Sequence, residues 1–374
     1  MFLDSHPYLM FILISIAILA LLILVHEAGH FAAAKLQGIH VNRFSLGFGP
    51  VLWSYQGKET EYAIRALPLG GFVGFPDEDE DCPYPKNDPD LLKNRPVLDR
   101  LVVMVAGVMA NLVFAYLVLV LMFASIGIPS VARIHPGILI PQVMPESPAQ
   151  VAGLQAGDVV LRAADQDYST VADETAALSA LNNFQELIRS SESQPILLEI
   201  QRGETAPVQL TVIPQAREDS VVIGVNLSPN QETALRPAES LGEIFSEAGN
   251  AYQRVVMLNV NGLRQLVQNF QSTATQVSGP VGIVKIGADL ARNDAASLFN
   301  FTALISINLA ILNLLPLPAL DGGHIAFLIL EGIRGKRLPK GLEDRVMQTG
   351  LVLLLGLGVV LIFKDTIAIV TGSG

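Results

Sequence analysis

The stretch "LLILVHEAGHFAAAK", residues 21–35, sets His26, Glu27 and His30 at the end of an apolar run. In a helix, residues four apart are rotated by about 400°, so His26 and His30 share one face and can both reach one metal ion. Glu27 sits beside them, off that shared axis. The pattern suits two imidazoles that hold Zn²⁺ and a carboxylate that handles the protons of a hydrolytic water. Ionisable groups inside an apolar span are costly, and where they occur they mark function. Ala28 and Gly29 keep the helix thin there, leaving room for an ion and a substrate.

A catalytic zinc site needs a third protein ligand and an open fourth position. The later stretch "NLAILNLLPLPALDGGHIAF", residues 308–327, offers one. Pro316 and Pro318 remove amide donors and break a helix, while Gly322 and Gly323 permit close backbone approach. Irregular backbone at membrane depth is tolerated only around a cavity or within protein. Asp321, presented from this break, is the best third ligand, with His324 three residues on as its competitor.

These residues need elements that bring them to one depth. The chain has 374 residues, 51% hydrophobic and 16% charged, which is apolar for a soluble protein and ordinary for a membrane one. Residues 8–36, 101–128, 303–320 and 346–370 are each apolar and near the roughly 20 residues that a spanning helix needs. The first lacks a basic leader and carries polar chemistry where a cleavage site would lie, so it reads as a retained helix. A formal charge of −11 with no basic stripe excludes a nucleic-acid partner. Cys82 is the only cysteine, so no intrachain disulfide exists, and "DEDEDCPYPK" supplies no evident partner for a thiolate.

Lys and Arg near span ends set orientation. Residues 35–100 carry eight basic residues, and Arg334, Lys336, Arg337, Lys340 and Arg345 follow the third span, so both segments are expected in the cytoplasm. The large segment between the second and third spans has ten basic against eighteen acidic residues and is expected outside.

Within residues 43–75, alternating apolar and polar residues punctuated by Gly47, Gly49, Gly57 and the Gly70-Gly71 pair predict short hairpins. From residue 134 to 214 the pattern is that of a small α+β domain, with a hairpin turning at Arg202-Gly203. Residues 215–235 either finish it or form a linker. The segment 240–295 carries apolar positions near helical spacing and predicts at least one amphipathic helix, lying on the outer membrane surface or packed on a domain.

The string Ser147-Pro148-Ala149, Ala152-Gly153-Leu154, Gly157-Asp158 resembles the fingerprint of PDZ domains in membrane and periplasmic proteases. Together, "HEAGH" in a first span, "NLLPLPALDGG" in a later one and a PDZ-like domain between them look like the site-2 protease family of intramembrane zinc metalloproteases, closest to its bacterial regulator-of-sigma-E-protease group. "RFSLGFGP" resembles that family's re-entrant β-loop, and "SGPVGI" the stretch before its third span. The single PDZ-like unit departs from relatives that carry two.

The resemblance implies a multi-pass α-helical membrane protein of about four spanning helices, with re-entrant or cytoplasmic β-hairpins and an inserted α+β PDZ domain. The expected divisions are an N-terminal membrane core (1–130), the PDZ-like domain (131–214), a linker with a membrane-surface helix (215–295) and a C-terminal membrane core (296–374). By position it implies His26, His30 and Asp321 as zinc ligands and Glu27 as catalytic acid/base. Asn313 would contact the substrate or the developing oxyanion, and Gly47, Phe48 and Gly49 would lie near the bound substrate strand. The expected partners are transmembrane protein substrates, an anti-sigma factor among them, the lipid bilayer, and a peptide C-terminus at the PDZ domain. The expected location is the inner (plasma) membrane with the PDZ domain outside. The alternative is a membrane-anchored PDZ adaptor with a vestigial metal site; the full set of catalytic residue types argues against it.

Overall fold

A computed structural model describes residues 5–79, 81–203, 205–217, 220–270, 277–337 and 339–371. The chain divides into two compact units, residues 1–126 with 238–374 and residues 127–237.

In the first unit, four helices among the described residues are long and apolar enough to cross a membrane: α1 (Ser5–Leu36), α2 (Val97–Ser125), α7 (Ala295–Leu314) and α9 (Lys340–Thr371). Small residues let α1 and α2 approach closely. A Cβ on Gly29 would lie 2.5 Å from the Ala106 carbonyl oxygen, and one on Gly107 would lie 2.3 Å from His30 Nε2. Between spanning helices such close packing replaces the hydrophobic driving force that lipid removes. Helix α7 joins the pair where the Ser306 hydroxyl donates to the Asn111 carbonyl at 2.8 Å.

The third span was expected over 303–320, but α7 starts at Ala295 and stops at Leu314. Asp294 caps its first turn, accepting from the Ser297 amide at 2.7 Å, and Pro316 blocks its continuation. Residues 315–320 are irregular, and α8 (Asp321–Arg334) begins at the aspartate. The fold-back is tight: a Cβ on Gly322 would meet the Leu315 oxygen at 2.0 Å and one on Gly323 the Leu317 oxygen at 2.5 Å. The second span, expected over 101–128, lies at Val97–Ser125 directly after Pro96.

Strands β1 (Arg43–Gln56) and β2 (Glu61–Gly74) do more than form hairpins. Each folds back, so four segments pair in the order 53–56, 61–64, 43–46, 71–74, with 43–46 parallel to 61–64 and the other neighbours antiparallel. Gly47 and Gly49, at φ +89° and +85°, make the reversal in β1. The sheet is tied to the end of α1 by Glu59, which accepts from Lys35 and from His40 Nδ1. Burial would push the Glu59 carboxyl up, but those two hydrogen bonds outweigh it and hold the group below its ordinary value.

Helix α5 (Leu241–Gln268) buries Ile244, Ala248 and Ala251 in this unit, where the Tyr116 hydroxyl of α2 donates to the Phe245 carbonyl at 3.2 Å. Helix α6 (Pro280–Asn293) follows. Its first turn is capped by Asp365 of α9, which accepts from the amides of Gly279 at 3.2 Å and Gly282 at 2.7 Å.

The second unit is α+β. Its main sheet runs β10-β3-β4-β6-β7, where β3 is Ile128–Val143, β4 Val159–Ala163, β6 Ile196–Gln201, β7 Val208–Val212 and β10 Val225–Arg236. Helix α4 (Glu174–Ser190) covers a core that includes Ile138, Ile140, Phe184, Leu198 and Ile200. The Ser-Pro-Ala…Gly-Asp fingerprint has local causes. Ser147 caps the short helix Pro148–Val151. Gly153 and Gly157 adopt φ +87° and +93°. Buried Asp158 takes a two-pronged ion pair from Arg202 at 2.7 and 2.8 Å. The domain boundary expected at 214 falls inside this unit, because β10 pairs with the whole length of β3, from Val225 opposite Val143 to Arg236 opposite Ile128.

Candidate active site

Helix α1 presents His26, Glu27 and His30, and the start of α8 presents Asp321. The fold-back at residues 315–320 is what brings the aspartate to the histidines. His26 Nε2 lies 3.0 Å from Asp321 Oδ2, His30 Nε2 lies 3.4 Å from it, and the two Nε2 atoms are 3.2 Å apart. Ligand atoms at about 2.0–2.1 Å from a tetrahedral zinc stand about 3.3 Å from one another, so these separations fit that ion. A second observation agrees: Asp321 Oδ2 is buried and accepts no well-directed hydrogen bond. Three atoms of metal-ligating type turned to one point, with the carboxylate oxygen otherwise unpaired, are a donor set for a cation.

The distal ring nitrogens are held too. His30 Nδ1 donates to the Val103 carbonyl at 2.8 Å. That oxygen can only accept, so His30 turns an Nε2 lone pair toward Asp321. His26 Nδ1 faces the Asn111 side-chain amide at 3.3 Å. Asn313 reaches the group from α7, its Nδ2 lying 3.2 Å from His26 Nε2.

Glu27 opens onto a cavity of about 450 Å³ that is also lined by His30, Asp321, Gly71, Phe72 and Val73. Gly71 is pressed against the glutamate; a Cβ there would lie 2.8 Å from Glu27 Cγ. Segment 71–74 pairs with 43–46 on one side, and no strand among the described residues pairs with its other side. Farther out, Arg100 of α2 donates to Glu331 of α8 at 2.5 Å, tying the helix that begins with Asp321 to its neighbour.

His26, Glu27, His30, Asp321 and Asn313 are therefore together. His324 is not with them: it stands on the cavity wall, its Nδ1 3.8 Å from Glu343 Oε1. Gly47, Phe48 and Gly49 do not line the cavity. They lie at the bend of β1, where Phe48 packs on Gly70 and stacks with Phe72 at 6.4 Å between ring centroids. The strand beside Glu27 is Gly71–Val73, marked in the sequence by the Gly70-Gly71 pair. Asn111 carried a weaker signal, a lone amide in the apolar run "VMANLVF".

The profile of peptidase family M50 matches residues 14–357. The chain belongs to peptidase family M50. As an M50 protein of the site-2 protease type it is a membrane-bound zinc metalloprotease, and zinc is the metal its donor set fits. A Nostoc sp. protein named as a zinc metalloprotease is 54% identical over 364 residues, covering 97% of each chain. The membrane metalloprotease ARASP of Arabidopsis thaliana, a chloroplastic protein, is 42% identical and covers 96% of this chain and 79% of its own. Protease RseP of Yersinia pestis is 28% identical, covering 94% of this chain and 97% of its own. A PDZ domain of the SdrC-like protein of Listeria monocytogenes aligns with 25% of this chain and 88% of its own, at 19% identity and a TM-score of 0.20.

Proposed function

We propose that this M50 protein hydrolyses peptide bonds within or beside the transmembrane segments of membrane-protein substrates, with His26, His30 and Asp321 as zinc ligands and Glu27 as general acid/base. The observation that carries this reading is the convergence of the three ligand atoms with Glu27 in one cavity bordered by an unpaired strand edge. Bound there, zinc supplies Lewis-acid polarisation of the scissile carbonyl and acidifies water. Glu27 takes a proton from the attacking water and passes it to the leaving amine. The Asn313 amide, close enough to touch His26, donates to the oxygen that gains charge.

A substrate helix must unwind before its carbonyl can be attacked, and strand addition to the free edge of Gly71–Val73 replaces the hydrogen bonds it loses. Gly47, Phe48 and Gly49 act behind that edge, by shaping the bend and backing Phe72. The excess of Lys and Arg in residues 35–100 and 334–345 supports a cytoplasmic position for those segments in a plasma membrane, with the PDZ-like unit outside. A groove of about 490 Å³ between α4 and residues 221–227 supports capture of a peptide C-terminus there. An anti-sigma factor is the substrate type that the sequence resemblance suggests.

The test is to reconstitute the enzyme with a single-span substrate and map the cut by mass spectrometry. A cut inside or at the border of the apolar segment is expected; cleavage only in a soluble tail would overturn the intramembrane reading.

A further inference from the structure

The side chain that faces His26 Nδ1 comes from α2. A histidine that binds through Nε2 carries its proton on Nδ1, and that proton needs an acceptor. For His30 the acceptor is the Val103 carbonyl, which holds one tautomer. For His26 the group at Nδ1 is the side-chain amide of Asn111, which is completely buried. Val103, Gly107 and Asn111 are spaced by four on α2, so one stripe of that helix serves both imidazoles: a carbonyl at one end, space at the centre, an amide at the other.

As placed, Asn111 Nδ2 faces Nδ1 at 3.3 Å, while Asn111 Oδ1 is buried and has no hydrogen-bond partner. The two ends of an amide have the same shape, so a half-turn exchanges them without repacking. With Nδ2 toward the ring, His26 would hold its proton on Nε2, among the donor atoms that converge on Asp321. With Oδ1 toward the ring, Nδ1–H has its acceptor and the Nε2 lone pair joins those of His30 and Asp321.

We propose that Asn111 is a positioning residue of the zinc site: its Oδ1 accepts from His26 Nδ1–H and holds His26 in the metal-binding tautomer. The proposal rests on the assignment of His26, His30 and Asp321 as zinc ligands. The Asn111 backbone has a separate task, accepting from Ser306, which side-chain variants leave in place.

The test measures zinc affinity by chelator competition, and the visible spectrum of the cobalt-substituted protein, in full-length wild type, Asn111→Leu, Asn111→Asp and Ser306→Ala. Second-neighbour partners of a metal-bound histidine are typically worth about 10- to 100-fold in affinity. Asn111→Leu should therefore weaken zinc by about that factor and alter the cobalt spectrum. Asn111→Asp, which accepts but cannot donate, should bind zinc at least as tightly as wild type, and Ser306→Ala should match wild type. Equal affinity in wild type and Asn111→Leu would overturn the proposal, as would Asn111→Asp failing as badly as Leu. Should Asn111→Leu fail to fold, Asn111→Asp against wild type still decides. Wild type that binds no zinc would instead sink the ligand assignment itself.

Discussion

Replacing Gly107 by alanine tests the packing that holds the metal ligands. The new methyl group would sit 2.3 Å from His30 Nε2, 2.7 Å from Cε1 and 2.8 Å from Cδ2. An ordinary carbon contact needs about 3.5 Å, so the imidazole or the α2 backbone must move by about 1 Å. The backbone has little room, because Gly29 already rests on the Ala106 carbonyl. The ring therefore yields, and metal sites tolerate displacements of only about 0.2 Å. Overpacking costs about 1–3 kcal/mol; charged to the metal complex, this weakens zinc binding roughly 5- to 150-fold. Zinc Kd is measured by chelator competition on purified protein, beside Gly262→Ala, where a Cβ meets nothing within 4 Å. Gly107→Ala with wild-type zinc affinity would refute the argument that α2 is cut away to seat His30.

Three other outcomes follow from the same geometry. Gly71→Ala pushes on Glu27 Cγ and the Ser45 carbonyl, not on the ligands; zinc content should stay stoichiometric while cleavage of a single-span substrate falls about 100-fold, the effect of a misplacement near 1 Å. Asp365→Ala leaves the amides of Gly279 and Gly282 without their acceptor and should lower the thermal midpoint in detergent by the equivalent of about 1–3 kcal/mol, with Asp365→Asn losing less. Glu59 has a depressed folded pKa, so its contribution is complete above its ordinary value of 4.5 and is lost as pH falls below it. Emission of Trp53, the only tryptophan and a neighbour of Ile64 in the sheet, should therefore change on acidification below pH 4.5 in wild type and lose that step in Glu59→Gln.

Much of the site was legible in the sequence because it follows from helix geometry and from punctuation. Two histidines one turn apart in an apolar run have few other uses, and prolines followed by paired glycines announce the fold-back that delivers Asp321. The spanning helices were legible for the same reasons, whereas Asn313 entered only through the resemblance to the site-2 protease family. The limits were those of local pattern. Gly47-Phe48-Gly49 and Gly70-Gly71-Phe72 are similar glycine-aromatic turns, and only the register of β1 on β2 brings the second beside Glu27. β10 completes its sheet by pairing with a strand of residues 128–143, a partner that no local periodicity reveals. Asn111 lacks a spacing signature because its partner, His26, is 85 positions away on another helix.

The central claim is that His26, His30 and Asp321 hold zinc while Glu27 moves the protons of peptide hydrolysis. The most direct measurement compares zinc content and cleavage of a single-span substrate in wild type and Glu27→Gln. The account predicts stoichiometric zinc in both and cleavage in wild type alone. Equal cleavage by the two proteins, or wild type active without metal, would contradict it.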